Sequence, residues 1–215
     1  MGFLQSHYGY NLLTKRSGGE LVMILIYVDD LLLTGNSKEL VNQAREDLQK
    51  SFKIKDLGEL KFFLGIEVAR SKKGIVLCQR KYALELIQEA GLSGAKPGGT
   101  PLELSQKLTC VEYDQCIPNE AADSDEALRD ASAHQRLVGR LLYLTMTSLD
   151  LAFSVQMLSQ FMHSPKVSHM EATLRAARYV KGNPGLGLFM PAEHSDQLVA
   201  YYDSDWEHAC RLKDL

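Results

Sequence analysis

Residues 21–34 read LVMILIYVDDLLLT, an apolar run with two adjacent acidic residues, Asp29 and Asp30, in its middle. The β-branched side chains at alternate positions from Val22 to Val28 favour a buried strand over a helix. A carboxylate pair inside such a run is unfavourable, because the two charges repel each other and lose hydration. A divalent cation can neutralise the pair, since Mg²⁺ is held through one or two carboxylates together with substrate phosphates. The run therefore predicts a metal site between two strands.

A second interpretation makes Asp29 and Asp30 the solvent-exposed turn of a hairpin. Aspartate tolerates turn geometry, and residues 31–34 are a second apolar segment that can pair as the returning strand. The local pattern leaves both interpretations open, so the rest of the chain has to decide between them.

Residues 27–30 have the Tyr-x-Asp-Asp form of reverse transcriptase active sites. The longer string at 26–36, IYVDDLLLTGN, closely resembles the polymerases of Ty1/copia-type retrotransposons. Three further strings resemble the same family: LGELKFFLGIE at 57–67, LVGRLLYLT at 137–145 and RAARYVKG at 175–182. The resemblance extends over nearly the whole chain.

This resemblance implies an α+β polymerase palm in which residues 21–34 are the metal-binding hairpin. It implies that Asp29 and Asp30 are catalytic residues and ligands of Mg²⁺, with Mn²⁺ as an alternative, and that Tyr27 supports the hairpin beside the primer end. In the family, two such ions held by three aspartates activate the primer 3′ hydroxyl and stabilise the leaving pyrophosphate. The implied partners are an RNA or DNA template–primer and deoxynucleotides.

The third aspartate of the family lies in a Lys-x-Asp string on an earlier strand, and the sequence contains no such string. Near the other end, Asp203 in the string DSDW resembles the first metal ligand of ribonuclease H. We therefore expect that this polypeptide alone neither polymerises nor cleaves. The alternative is a degenerate or adopted retroelement fragment that acts only as a nucleic-acid or protein binding module.

The predicted fold is α+β: a partial palm of antiparallel strands and helices, then a helical thumb or connection region, then the first strands of a ribonuclease H-like module. The corresponding segments are 1–102 for the palm, 103–131 for an acidic loop or linker, 132–183 for the helical region and 184–215 for the ribonuclease H-like start.

Basic residues in and after a second predicted hairpin are candidates for contact with nucleic-acid phosphates, alongside Tyr27. They are Arg70, Lys72, Lys73, Arg80 and Lys81. The alternative for Lys72 and Lys73 is a lysine-rich turn that only keeps the surface soluble.

Several local signals predict element boundaries. Asn36 or Ser37 caps a helix that runs to Phe52, and residues 62–69 form one strand. Three further helices are predicted to start at polar caps, namely Ser132 with Gln135, Asp150, and Ser168 with Glu171. The acidic stretch 103–131 has little apolar pattern and predicts a mobile loop.

Composition sets broad limits. The chain has 215 residues, a net charge of −3 and an ordinary apolar content of 45%, which fit a globular protein. Its four cysteines lack the spacing of a zinc site, and neither a signal peptide nor a transmembrane run is evident. We expect free thiols and an intracellular location, cytoplasmic or nuclear, without a membrane partner. The sequence does not indicate an oligomeric state.

Overall fold

A computed structural model describes residues 2–7, 9–103, 107–116 and 125–193. Over these ranges the chain is α+β, with two four-stranded antiparallel sheets and six α-helices. This confirms the predicted α+β class. The second predicted strand of the ribonuclease H-like module, at 198–202, and Asp203 lie outside the described residues.

The first sheet is a meander in which each strand pairs with the next one along the chain. Its strands are β1 (Leu4–Ser6), β2 (Gly9–Ser17), β3 (Glu20–Tyr27) and β4 (Asp30–Gly35). Helix α1 (Lys38–Ser51) follows and packs on β3 and β4. The predicted cap is confirmed, because the Ser37 hydroxyl accepts a hydrogen bond from the Leu40 amide at 3.4 Å.

Only a few apolar side chains of this first unit are fully buried: Val22, Ile24, Ala44 and Leu48. Gly35 ends β4 at a close backbone approach, since a Cβ atom there would lie 2.5 Å from the Leu21 carbonyl oxygen. The helix therefore enters close against β3, and one face of the sheet gains its cover from α1.

The second sheet combines three strands from one part of the chain with a strand made much later. These are β5 (Phe62–Phe63), β6 (Ile66–Ser71), β7 (Gly74–Cys78) and β8 (Gly187–Pro191), in that order across the sheet. The prediction of one strand over 62–69 is wrong, because a tight turn at Leu64 and Gly65 folds it into two. Both turn residues have positive φ, at +51° and +77°.

A helical layer supplies the main core. Helices α2 (Arg80–Glu89), α4 (Ala131–Leu144), α5 (Ala152–Ser159) and α6 (Val167–Gly182) pack on one another, and a 3-10 turn (Leu149–Leu151) precedes α5. The predicted helical bundle is confirmed, and α2 shares its core with the later helices. The proposed division into four segments stays a prediction.

The predicted helix starts are wrong in detail. Asp130, not Ser132, caps α4, because its carboxylate accepts the Ser132 amide at 3.0 Å. Asp150 lies within the 3-10 turn and accepts the Tyr179 hydroxyl at 2.7 Å instead of capping α5. At Asp150 a tertiary partner, the Tyr179 hydroxyl, takes the place of local capping, whereas the cap at Asp130 is local.

Helix α6 also starts differently from the prediction. Its N-cap is Lys166, whose amide donates to the Nδ1 atom of His169 at 3.0 Å. Ser168, predicted as the cap, is inside the helix and bonds through its amide and hydroxyl to Asp125. The acceptor at the helix start is thus an imidazole rather than a carboxylate.

The acidic stretch is structured where it is described, so the prediction of a loop without structure is wrong there. It contains a short helix, α3 (Val111–Cys116), and two of its carboxylates reach a buried lysine. The Nζ atom of Lys166 lies 2.6 Å from an oxygen of Asp114 and 3.1 Å from one of Asp125. The lysine that precedes α6 therefore anchors a segment whose own sequence has no periodic pattern of apolar residues.

This ion-pair cluster shifts several pKa values. Burial opposes the charge of Asp114, yet the hydrogen bond from Lys166 leaves the pKa of that carboxyl below its usual value. Burial likewise opposes the charge of Lys166, and its two aspartate partners still raise its pKa. The neighbouring His169 is fully buried and stacks on Phe161, and burial lowers its pKa to about 4.

Cys78 and Cys110 are free thiols. Among the described helices, none has a stretch long and apolar enough to cross a bilayer.

Candidate metal and nucleic-acid site

The Asp-Asp pair is at the tip of the β3–β4 hairpin. The last paired residues are Tyr27 and Asp30, so Val28 and Asp29 form a two-residue turn. Val28 has a φ of +49°, the left-handed conformation that such hairpin turns require. A non-glycine residue in this region costs about 1 kcal/mol. The strand pairing on both sides holds the turn in this conformation.

Asp29 and Asp30 are both solvent-exposed. The pair is therefore at an exposed hairpin turn rather than in a partly desolvated place, and its role as a metal site stays a prediction. The neighbouring Val28 side chain is 83% exposed and Tyr27 is 51% exposed. The tip thus presents two carboxylates, an aromatic ring and an apolar side chain to solvent.

The two carboxylates suit a hard cation. Over the described ranges neither forms a side-chain hydrogen bond or an ion pair, so no lysine or arginine neutralises them. Carboxylate oxygens are the ligands that Mg²⁺ takes, often only one or two from the protein. In the same ranges, no third acidic, histidine or cysteine side chain joins the pair into a metal-binding group. The residues present fit a divalent ion whose remaining ligands come from elsewhere.

A second tight turn lies in the other sheet. It connects β5 to β6 through Leu64 and Gly65, and the Tyr143 hydroxyl from α4 donates a hydrogen bond to the Leu64 carbonyl. The Tyr143 ring packs on Gly65, where an added Cβ atom would lie 3.6 Å from the ring. Burial raises the pKa of the Tyr143 phenol, and electrostatic interactions with Tyr82 and Tyr27 add to the increase.

Tyr143 is itself held in place by α2. Its ring meets the Tyr82 ring edge-to-face with centroids 5.2 Å apart. The Arg140 guanidinium lies 4.9 Å from the centroid of the Tyr82 ring and forms an ion pair with Glu89. These contacts restrict the tyrosine pair to one arrangement.

The predicted nucleic-acid-binding residues fall into separate groups. Tyr27 is at the Asp-Asp tip, and Arg70, Lys72 and Lys73 surround the β6–β7 turn. Arg80 and Lys81 start α2 at the opposite end of β7, about 20 Å away at the usual rise per strand residue. All five basic residues are exposed. The structure therefore does not gather them into one patch, and their role stays a prediction.

Lys81 has partners within the protein. The Lys81 amide donates to a Glu67 carboxylate oxygen at 2.7 Å, and its ammonium lies 4.0 Å from Glu85. No local pattern predicts the contact made by Tyr143, because that contact joins residues far apart in the chain. The one sequence feature that points to the turn itself is Gly65, because glycine is the residue type that tight turns favour.

Comparison with known proteins decides the family. A family model described as reverse transcriptase (RNA-dependent DNA polymerase) matches residues 1–104, which include the Asp-Asp hairpin. The Pol polyproteins of transposons RE1 and RE2 from Arabidopsis thaliana are 37% and 36% identical over 206 residues, which is 96% of this chain. The chain belongs to the Ty1/copia-type reverse transcriptase family.

The reverse transcriptase chain is short beside these relatives, since the aligned part is 13% of the length of RE1 and of RE2. An Arabidopsis thaliana protein described as uncharacterized mitochondrial protein AtMg00810 is nearer in length. It is 35% identical over 85% of this chain and 71% of its own length. No solved structure matches the chain.

Proposed function

We propose that the Asp29–Asp30 hairpin is the metal-binding tip of a reverse transcriptase palm. The observation that carries this proposal is a pair of exposed carboxylates that have no side-chain partner among the described residues, at a tight turn within the segment that matches the reverse transcriptase family. The reaction is RNA-directed DNA synthesis, in which deoxynucleotides are added to a primer on a template. The metal is Mg²⁺, with Mn²⁺ as an alternative.

Each residue of the tip has a distinct role in this proposal. Asp29 and Asp30 hold the cation through their oxygens, and the turn keeps the two carboxylates adjacent and accessible. When bound, divalent ions activate the primer 3′ hydroxyl and stabilise the leaving pyrophosphate. Tyr27 offers a half-exposed ring beside the primer end, where an aromatic face can pack on a base or sugar.

The basic residues near the second sheet would contact the template–primer backbone. Lys72 and Lys73 occupy an exposed turn, where their ammonium groups can approach phosphates without loss of a protein partner. Such contacts are independent of base sequence and weaken as salt concentration rises.

We further propose that the 215-residue chain does not polymerise by itself. Two-metal catalysis in the family uses three aspartates, and only Asp29 and Asp30 come together in the described part of this chain. The chain would then bind metal and nucleic acid more readily than it catalyses. Asp203 is proposed as a metal ligand of the ribonuclease H-like segment.

The test measures metal binding and catalysis separately. Mn²⁺ binding is followed by the electron paramagnetic resonance signal of the free ion, and primer extension is assayed with Mg²⁺ and with Mn²⁺. We expect D29N/D30N to weaken Mn²⁺ binding at least about tenfold, since both charged ligands are lost. The matched control E46Q removes an exposed carboxylate of α1 and should leave binding unchanged.

The outcomes separate the two proposals. Equal Mn²⁺ binding by the wild type and by D29N/D30N would remove the metal-site proposal. Template-dependent extension by the wild type that disappears in D29N would contradict the proposed inactivity. Salt-sensitive binding of template–primer that ignores both metal and the aspartates would support a binding module instead.

A further inference from the structure

Over the described residues the two sheets have four outer edges, and three of them have features that hinder pairing with another strand. Strand β1 has three residues and a register shift between Gln5 and Ser6, and β5 has two residues. Strand β8 ends in Pro191, a residue without a backbone N–H. Short strands, irregular pairing and proline are devices by which proteins prevent edge-to-edge association. The fourth edge, that of β4, has none of them.

Strand β4 is a regular and apolar edge. Its six residues, Asp30–Gly35, read DLLLTG and pair with β3 without a bulge. It contains neither lysine nor proline, and the Leu31 side chain is 37% exposed. In the part of the chain that the structure describes, no strand pairs with the outer side of β4. An edge of this kind favours the addition of another strand.

The register of the hairpin shows which backbone groups of β4 point outwards. Because the turn has two residues, Tyr27 and Asp30 are a hydrogen-bonded pair, and bonded and non-bonded pairs alternate from there along the ladder. Leu31, Leu33 and Gly35 are then at the non-bonded positions. Their N–H and C=O groups point away from β3, and none of the backbone hydrogen bonds within the described ranges uses them.

The spacing of these outward groups makes the edge self-complementary. Two antiparallel copies of β4, related by a two-fold axis at Leu33, place Leu33 opposite Leu33 and Leu31 opposite Gly35. Each of these three pairs exchanges two hydrogen bonds, so every outward N–H and C=O of both strands is used. The same register places Asp30 opposite Asn36 rather than opposite another Asp30, so that like charges do not face each other.

We propose that β4 is the contact surface between two copies of this chain, which join edge to edge into one eight-stranded antiparallel sheet. The contact is isologous and therefore closes at two copies, and the joined sheet ends at both sides on the short strand β1. The two Asp30 residues lie about 20 Å apart, at opposite ends of the contact, so both carboxylate turns stay accessible. The inference goes beyond the proposed function and does not depend on it.

Helix α1 is compatible with this contact. It packs on β3 and β4, and a two-fold axis perpendicular to the sheet brings the second α1 onto the same face. With neighbouring strands about 4.8 Å apart, the two helix axes come about 10 Å apart, which is a usual distance between packed helices. Leu33 pairs with the buried Ile24 on the helix side of the sheet, so the apolar layer under the helices continues across the contact.

The test places proline at an outward N–H, because this removes a donor to the second copy but no hydrogen bond to β3. The two variants are L31P and L33P, and circular dichroism establishes that each one is folded. The matched control is F62P on β5. Phe62 is a 54% exposed apolar residue at a non-bonded position of another edge strand, next to the pair that closes the Leu64–Gly65 turn.

Two measurements use the full 215-residue chain in EDTA, so that metal binding has no part in the result. Sedimentation equilibrium over about a hundredfold range of concentration gives the Kd of the dimer. Amide hydrogen exchange by mass spectrometry follows peptides covering 30–36 and 62–67. For the wild type we expect a reversible dimer and exchange that slows with rising concentration in 30–36 but not in 62–67.

The variants are expected to separate clearly. L31P and L33P should each raise the Kd of the dimer at least about tenfold, because two hydrogen bonds are lost and two carbonyl oxygens lose their partners. F62P should leave the Kd unchanged.

A wild-type chain that stays monomeric over the whole concentration range would overturn the proposal. So would L31P and L33P dimers as tight as that of the wild type, or an equal weakening by F62P. Exchange in 30–36 that is slow at every concentration would show that another segment of the same chain covers β4, which also contradicts the proposal. Assemblies of more than two copies would rule out a closed two-fold contact.

Discussion

The first sheet and the helical layer differ sharply in how they are stabilised. Among the described residues, the helical layer buries fourteen apolar residues in one cluster, whereas the first sheet and its helix bury four. Yet the first sheet carries the Asp-Asp hairpin and lies wholly within the match to the family model. The proposed metal site is thus on the less buried unit.

The largest expected effect tests this difference in burial. Leu141 on α4 is fully buried, and L141A should lower the free energy of unfolding by about 4 kcal/mol, through lost burial and a residual cavity. Leu31 on β4 is 37% exposed, and L31A should cost only about 1 kcal/mol. Chemical denaturation followed by circular dichroism measures both values. Equal losses would show that the two units are stabilised alike.

The buried lysine provides the next test. Lys166 has a side chain that is 4% exposed and pairs with Asp114 and Asp125. K166M should lower the free energy of unfolding by about 3 kcal/mol, because it leaves two carboxylates without their cation. Lys81 is the control, since its ammonium is exposed and its partner Glu85 lies 4.0 Å away. If K81M and K166M proved equally mild, the acidic segment would not be anchored by this cluster.

The smallest effect concerns pH. The pKa of His169 falls to about 4 in the folded state, against about 6.5 when unfolded, so the unfolded chain binds more protons between these values. The contribution of neutral His169 to the free energy of unfolding is then fully present above pH 6.5. It decreases as pH falls, by about 2 kcal/mol at pH 5. Burial also lowers the pKa of His134, which adds a loss of the same sign.

The carboxylates that pair with Lys166, those of Asp114 and Asp125, affect stability in a different pH range. Their pKa values are lowered from 3.8, so the stability they contribute is lost only in more acidic solution. H169Q should therefore reduce the slope between pH 5 and 6.5 in denaturation measurements, while H163Q, at an exposed position, should leave it intact. An unchanged slope in H169Q would exclude His169 as its source.

The sequence pattern correctly predicted those elements that are determined by interactions between residues close together in the chain. The β-branched alternation in β3 and the serine cap of α1 depend on neighbours within a few residues, and both are confirmed. The turn at Leu64 escaped prediction because leucine normally avoids positive φ and a distant tyrosine holds it there. The anchoring of Asp114 escaped for the same reason, since Lys166 is remote in sequence.

In the candidate site, too, features set by neighbouring residues were predicted and features set by tertiary structure were not. Asp29 and Asp30 were identified from four consecutive residues, because a two-residue turn is encoded locally. Their exposure was misjudged, since an apolar run does not show which of its residues form the turn. The basic residues were grouped by closeness in sequence, but a strand lies between Lys73 and Arg80 and carries them to opposite ends of the sheet.

The pairing of β8 with β7 has a consequence for biosynthesis. On the ribosome, β5, β6 and β7 emerge well before Gly187–Pro191, so the outer hydrogen-bonding edge of β7 waits for its partner until almost all of the described chain has been made. During that interval the edge is open to pairing with other nascent chains. The α2–α6 helices are completed in the same interval, and their packing brings the end of α6 back to the sheet in time to deliver the last strand.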